Sequence, residues 1–235
     1  MEQYYKIAGL LVRMDSFGRT VTQAEPYLAA AGEPDVEIRG NWRRLKEEAP
    51  QLSDEDCEYI VTGSSFYRQL LCHNGMMLHA SAVVVDGRAY LFTAASGTGK
   101  STHTGLWLKK FGERAWVLND DKPALRLEDG EWYAYGTPWS GKHDLSRNAR
   151  VLLGGICSLR RGAENRICPM EPKEAIFRIL EQTVRPPVPE LRGRLLELLD
   201  SLITSVPVWQ MECNMDPEAA EMSFAAMSGV KPINE

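Results

Sequence analysis

Residues 94–102 read Ala-Ala-Ser-Gly-Thr-Gly-Lys-Ser-Thr, the densest run of phosphate-binding residue types in the chain. A phosphate cradle needs backbone N–H groups that curl around the ligand, glycines that let the backbone come close, and a helix N-terminus behind them. It also needs a lysine for the β- and γ-phosphates and a hydroxyl for Mg²⁺. Gly97, Gly99, Lys100 and Ser101 meet those needs, with Ser96, Thr98 and Thr102 completing the loop. The usual P-loop text, G-x-x-x-x-G-K-[ST], has glycine where this chain has Ala94, a difference that matters only if the position requires a positive φ. Further along, Asp120 and Asp121 follow the apolar run 115–119. Successive residues of an extended chain point to opposite sides, so one carboxylate can approach Mg²⁺ while the other addresses an attacking hydroxyl.

A second loop, 137–144, reads Thr-Pro-Trp-Ser-Gly-Lys-His-Asp. Lys142 and His143 are candidates for stabilising transferred charge or binding an anionic substrate, and Gly141 for permitting closure, against the plainer reading of a surface loop. Arg147, Arg150, Arg160, Arg161 and Arg185 are further, weaker candidates for anion contacts. Cysteines at 57, 72, 157, 168 and 213 form no CxxC pair and are odd in number, which argues against a disulfide framework or structural zinc and for small core residues in a reducing compartment.

The elements that must position these groups are clearest after residue 76. Residues 77–85 are β-rich, Asp86-Gly87 signals a tight hairpin, and 88–93 form a second strand that runs straight into the phosphate loop. A helix follows through residue 110, then a strand at 115–119. A second hairpin turns at Asp129-Gly130, a strand covers 151–159, helices cover 173–184 and 189–206, and a late strand covers 208–213. Asp216-Pro217 opens a terminal helix. Before residue 76 the text is less legible: a strand over 4–14, a helix or loop at 24–34, a strand over 36–42, and a helix at 64–72 stopped by Asn74-Gly75. Tight hairpins combined with a strand, phosphate-loop and helix unit predict an α/β fold on a mixed sheet with flanking helices, not a purely parallel sheet. The expected division is an N-terminal α/β extension over 1–75, packed on a core over 76–235.

A chain of 235 residues has room for such a core, and its net charge of −5 supplies no global positive field for a nucleic acid. No apolar stretch approaches the ~20 residues of a membrane helix, and the amino end lacks a signal-peptide core, so a cytoplasmic protein is expected. The leucines at 191, 195, 196, 198, 199 and 202 give a broad apolar face for the core or a subunit contact, which leaves homo-oligomerisation open.

Leu78-His79-Ala80-Ser81, residues 96–102, and Leu118-Asn119-Asp120-Asp121 together resemble the catalytic core of the HPr kinase/phosphorylase and phosphoenolpyruvate carboxykinase superfamily. The resemblance covers 77–121 and is similar to small stand-alone HPr kinase relatives. It implies ATP and Mg²⁺ as cofactors. It also implies Lys100 on the β/γ-phosphates, Ser101 and Asp121 at the metal, Asp120 as base toward a seryl hydroxyl, and His79 close to the reaction centre. The chain is too short for a complete carboxykinase, and 1–75 do not resemble the HPr kinase regulatory domain. The expected activity is therefore transfer of the γ-phosphoryl group to a hydroxyl, chiefly serine of a peptide or protein. The alternatives are a small-molecule kinase and a nucleotide-binding regulatory module without turnover.

Overall fold

The computed structural model describes residues 2–229. Among them a three-stranded sheet and a nine-stranded mixed sheet are combined with seven α-helices. No helix of the described residues is long and apolar enough to cross a membrane.

The small sheet pairs β1 (Glu2–Ile7) antiparallel with β2 (Leu10–Asp15), and β2 parallel with β3 (Val36–Ile38). The single strand expected over 4–14 is thus a hairpin, turned by Ala8 at φ +50° and Gly9 at φ +79°. Alanine seldom adopts a positive φ, so its side chain does not announce the turn. Helix α1 (Gly18–Ala24) lies between β2 and β3. The strand expected over 36–42 stops at Ile38, and Trp42 opens α2 (Trp42–Glu48). The helix expected from residue 64 is α3 (Asp54–Leu70), which begins much earlier: Ser53 Oγ accepts the Asp56 N–H at 3.0 Å. Asp54, Glu55 and Asp56 also sit at the positive end of its dipole. Asn74, at φ +56°, stops the chain where expected.

The large sheet contains β4 (Gly75–Met77), β5 (Ala80–Val85), β6 (Arg88–Thr93), β7 (Ala115–Asn119), β8 (Ala124–Glu128), β9 (Glu131–Tyr135), β10 (Arg150–Arg161), β11 (Arg166–Pro169) and β12 (Val208–Cys213). The main order is β4-β8-β9-β10-β6-β5-β7, with β12 on the far end of β10 and β11 beyond it. Both Asp-Gly hairpins form: Asp86 and Gly87 have φ +49° and +77°, and Asp129 and Gly130 have φ +52° and +84°. The stretch read as one strand over 77–85 breaks at Leu78-His79. Residues before the break pair with β8, and residues after it pair with β6 and β7. His79 therefore occupies a gap between strands.

Alternation along the strands divides the core. Val83, Val85 and Phe92 face α4 (Lys100–Phe111) and α7 (Glu218–Ser228), where Trp107 and Ala220 complete the cluster. Ala82, Val84 and Leu91 face α5 (Pro172–Glu181) and α6 (Pro189–Ser205) through Ile179, Leu198 and Leu202. A third cluster joins the small sheet and α3 to the large sheet through Tyr5, Met14, Phe66, Ala124 and Trp139.

Candidate active site

Between the end of β6 and the start of α4, the loop is bent by Gly97 at φ +76° and Gly99 at φ +121°. A Cβ on Gly97 would meet nothing within 4 Å, so backbone conformation and not space demands glycine there. Ala94 has no positive φ and is buried against α4. Ala94→Gly is accordingly expected to leave nucleotide affinity within a few fold in a binding titration, whereas a gain of orders of magnitude would mark a degenerate loop.

Lys100 Nζ donates to Ala94 O at 3.2 Å, so its side chain folds over the loop. Burial pushes its ammonium below the usual lysine range, while the charges of Asp121 and Asp120 act in the opposite direction. The lysine and both acids therefore share one electrostatic neighbourhood. Ser101 and Thr102 are exposed on the first turn of α4. Beneath them His103 is buried, bonded through Nε2 to Ser223 Oγ at 3.0 Å, and burial pushes it down to about 4. Trp107 Nε1 donates to the same hydroxyl at 2.9 Å, so α7 braces the helix that follows the loop.

At the end of β7, Asn119 Oδ1 accepts the N–H groups of Asp121 (2.9 Å) and Lys122 (2.7 Å). This Asx turn, a local alternative to continued strand, rotates the two acids apart. Asp120 Oδ1 accepts from Ser81 Oγ at 2.6 Å, and Ser81 Oγ accepts from Thr104 Oγ1 at 2.7 Å. A hydroxyl on β5, itself held by one on α4, thus fixes one oxygen of Asp120. Asp121 Oδ1 lies 3.2 Å from His79 Nε2, and Oδ2 pairs with Lys122. Burial raises the Asp121 carboxyl, but the His79 hydrogen bond and the Lys122 charge outweigh it and hold the group below the usual carboxylate range. The break between β4 and β5 is what lets His79 reach it: the His79 N–H donates to Gln182 O at 2.7 Å, and the Ala80 N–H to Asp121 O at 3.0 Å.

The loop after β9 is no surface excursion. Residues 136–140 are buried, with Trp139 stacked on Phe66 at 5.1 Å and edge-on to Tyr67 at 5.4 Å. Gly141, at φ +79°, lies so close to Asp121 that a Cβ there would stand 3.0 Å from the Asp121 Cβ. Its peptide is gripped from the N-terminal part of the chain: the Gly141 N–H donates to Tyr59 OH at 2.9 Å, and Gln23 Nε2 donates to Gly141 O at 3.0 Å. Lys142 and His143 are exposed and make no polar contact with the other described residues. The site thus gathers Gly97, Gly99, Lys100, Asp120, Asp121 and His79 but does not draw in Lys142 or His143.

An open cleft of about 540 Å³ lies against residues 94–98, Ser158, Arg160, Arg161, Arg178 and Gln182. Among the described residues no three His, Cys, Asp or Glu side chains converge to cage a metal. The Ser101 hydroxyl and the ionised Asp121 are hard oxygen donors, a set that suits Mg²⁺ when phosphates and water supply its remaining ligands. Sequence reading passed over Thr104, Tyr59 and Gln23, and it met Asn119 and Ser81 only as members of the runs 118–121 and 78–81, without a role.

No family model and no curated protein matches the chain in sequence. Among solved structures, the chain is similar to the Hpr(Ser) kinase/phosphatase from Coxiella burnetii, with 14% sequence identity, a TM-score of 0.37, and coverage of 64% of this chain and 93% of that one. The site's own geometry, not so distant a likeness, bears on what the chain does.

Proposed function

We propose that this chain is an ATP- and Mg²⁺-dependent phosphotransferase that moves the γ-phosphoryl group to a hydroxyl, with serine of a peptide or protein as the acceptor. The observation that carries this reading is the placement of Lys100, on a glycine-bent loop at a helix N-terminus, in the field of both Asp120 and Asp121. The resemblance of residues 78–81, 96–102 and 118–121 to HPr kinases supports the donor and the acceptor. Backbone N–H groups of Gly97 and of residues 99–101 hold the phosphates, and Lys100 neutralises the β- and γ-oxygens. Ser101 and Asp121 hold Mg²⁺, which when bound offsets charge on the transferring group. Asp120, its Oδ1 held by Ser81, keeps Oδ2 for the acceptor proton. The acceptor oxygen bonds to Pγ, the bond from Pγ to the bridging oxygen breaks, ADP leaves and the proton passes to Asp120. Residues 1–75 act as an extension whose Tyr59 and Gln23 set the Gly141 peptide beside Asp121.

A thermal-shift titration tests the foundation. ATP·Mg²⁺ at ~100 times its dissociation constant should add about 2.7 kcal/mol to native stability. Lys100→Ala should lose most of that gain, and a wild-type protein unmoved by every nucleotide and by pyrophosphate would remove the reading. Stabilisation without transfer to any hydroxyl would favour the non-catalytic binding module.

A further inference from the structure

We infer that Arg161 is a positioning residue of the phosphate loop, holding the Gly97 and Thr98 carbonyls away from the ligand so that the Gly99 N–H is presented to it. The inference rests on the phosphotransferase reading above. It begins with unequal strand lengths. Strand β10 runs parallel to β6 with Ser158 opposite Thr93, the last residue of β6. Beyond that point β6 has become the loop, while β10 continues for Leu159, Arg160 and Arg161, secured on its other edge by β12, where Arg161 lies opposite Cys213. The overhang places the Arg161 guanidinium against the loop. Nε donates to Thr98 O at 3.1 Å and Nη2 to Gly97 O at 2.6 Å, and no carboxylate pairs with Arg161 among the described residues.

Two neighbouring donors of one rigid fork on two consecutive carbonyls fix two peptide planes at once. In a planar trans peptide the C=O and the following N–H point in opposite directions. Fixing Gly97 C=O therefore aims the Thr98 N–H back at Ala95 O, where it donates at 3.2 Å and closes the turn. Fixing Thr98 C=O aims the Gly99 N–H to the side opposite Arg161, and among the described residues that N–H has no protein acceptor. Gly97 and Gly99 are the least restrained residue type, and a loop left to them alone would have to be ordered by the ligand. Arg161 moves that ordering cost from binding to folding. From sequence this arginine is one of several weak candidates for an anion contact; the structure places its guanidinium on the loop carbonyls.

The test compares wild type with Arg161→Lys and Arg161→Met. Both keep an aliphatic stem at an exposed position, and only Lys keeps the charge. Affinities for ATP·Mg²⁺ and for pyrophosphate are measured by calorimetry, and exchange of the Thr98 amide is followed without ligand. Positioning predicts a loss of about tenfold in affinity for both variants alike, faster Thr98 exchange in both, and an unliganded Tm close to wild type. Wild-type affinity in Lys with a loss only in Met would overturn the inference, because Arg161 would then act as a point charge on phosphate. Unchanged Thr98 exchange in both variants would overturn it too. Failure of wild type itself to bind either probe is the separate result that would defeat the phosphotransferase reading, and the positioning role with it.

Discussion

Asp120→Asn is expected to cut phosphoryl transfer by about 10²–10⁴ while ATP·Mg²⁺ affinity stays within a few fold, the scale of losing a positioned base. The amide oxygen of asparagine can still accept the Ser81 hydroxyl, so the side chain keeps its place, but an amide does not take up a proton at neutral pH. Asp121→Asn should fail differently. It loses the negative charge that the proposed mechanism assigns to the metal, and the Mg²⁺ dependence of nucleotide binding should weaken, with partial recovery at excess metal. Single-turnover transfer and metal titrations on the two variants separate these outcomes. Undiminished transfer by Asp120→Asn would remove it as the base, and superimposable metal curves for wild type and Asp121→Asn would end the division of labour.

Trp139→Ala should destabilise the protein by about 3–5 kcal/mol, the usual cost of removing a fully buried large aromatic. That is a large part of the 5–15 kcal/mol typical of a folded domain. Trp139 is fully buried, its ring packs against both Phe66 and Tyr67, and its Nε1 donates to Thr62 Oγ1 at 3.3 Å. On α3, Gly63 has no room for a Cβ, which would come within 2.9 Å of the indole. The residue therefore fastens α3 to the loop that carries Gly141. Urea unfolding gives the measurement, and a midpoint within error of wild type would show that α3 does not depend on this contact.

The loop at 94–99 and its flanking strand and helix were legible because a bend between them restricts residue type: Gly97 and Gly99 take the positive φ that favours glycine. Asp86-Gly87 and Asp129-Gly130 were legible for the same reason, since a two-residue hairpin turn favours those types. Where the backbone asked for nothing unusual in the side chain, reading failed. Ala8 turns a hairpin without a turn residue's signature, and the middle of α3 at Thr62, Gly63, Ser64 and Ser65 has too little helix propensity to show that one helix runs through it. Loop 136–140 looked like surface because Gly, Thr, Pro and Ser favour loops, yet tertiary packing on Phe66 and Tyr67 buries it. Thr104 was hidden in another way: a single hydroxyl in a helix is unremarkable until its partner, here the Ser81 hydroxyl, is placed beside it.

The overhang of β10 bears on the order in which the molecule is assembled. The loop at 94–99 is local in sequence, but its grip comes from Arg161, and that end of β10 is flanked by β12 at 208–213. Pairing across such separations costs closure entropy before any contact returns it, and domains fold as the chain is synthesised from the N-terminus. A nascent chain that has delivered β6 and α4 therefore holds the loop at 94–99 without its outer brace, and it must still receive α5, α6 and β12 before the brace is secured. The loop at 94–99 should consequently reach its braced conformation late, together with closure of the sheet.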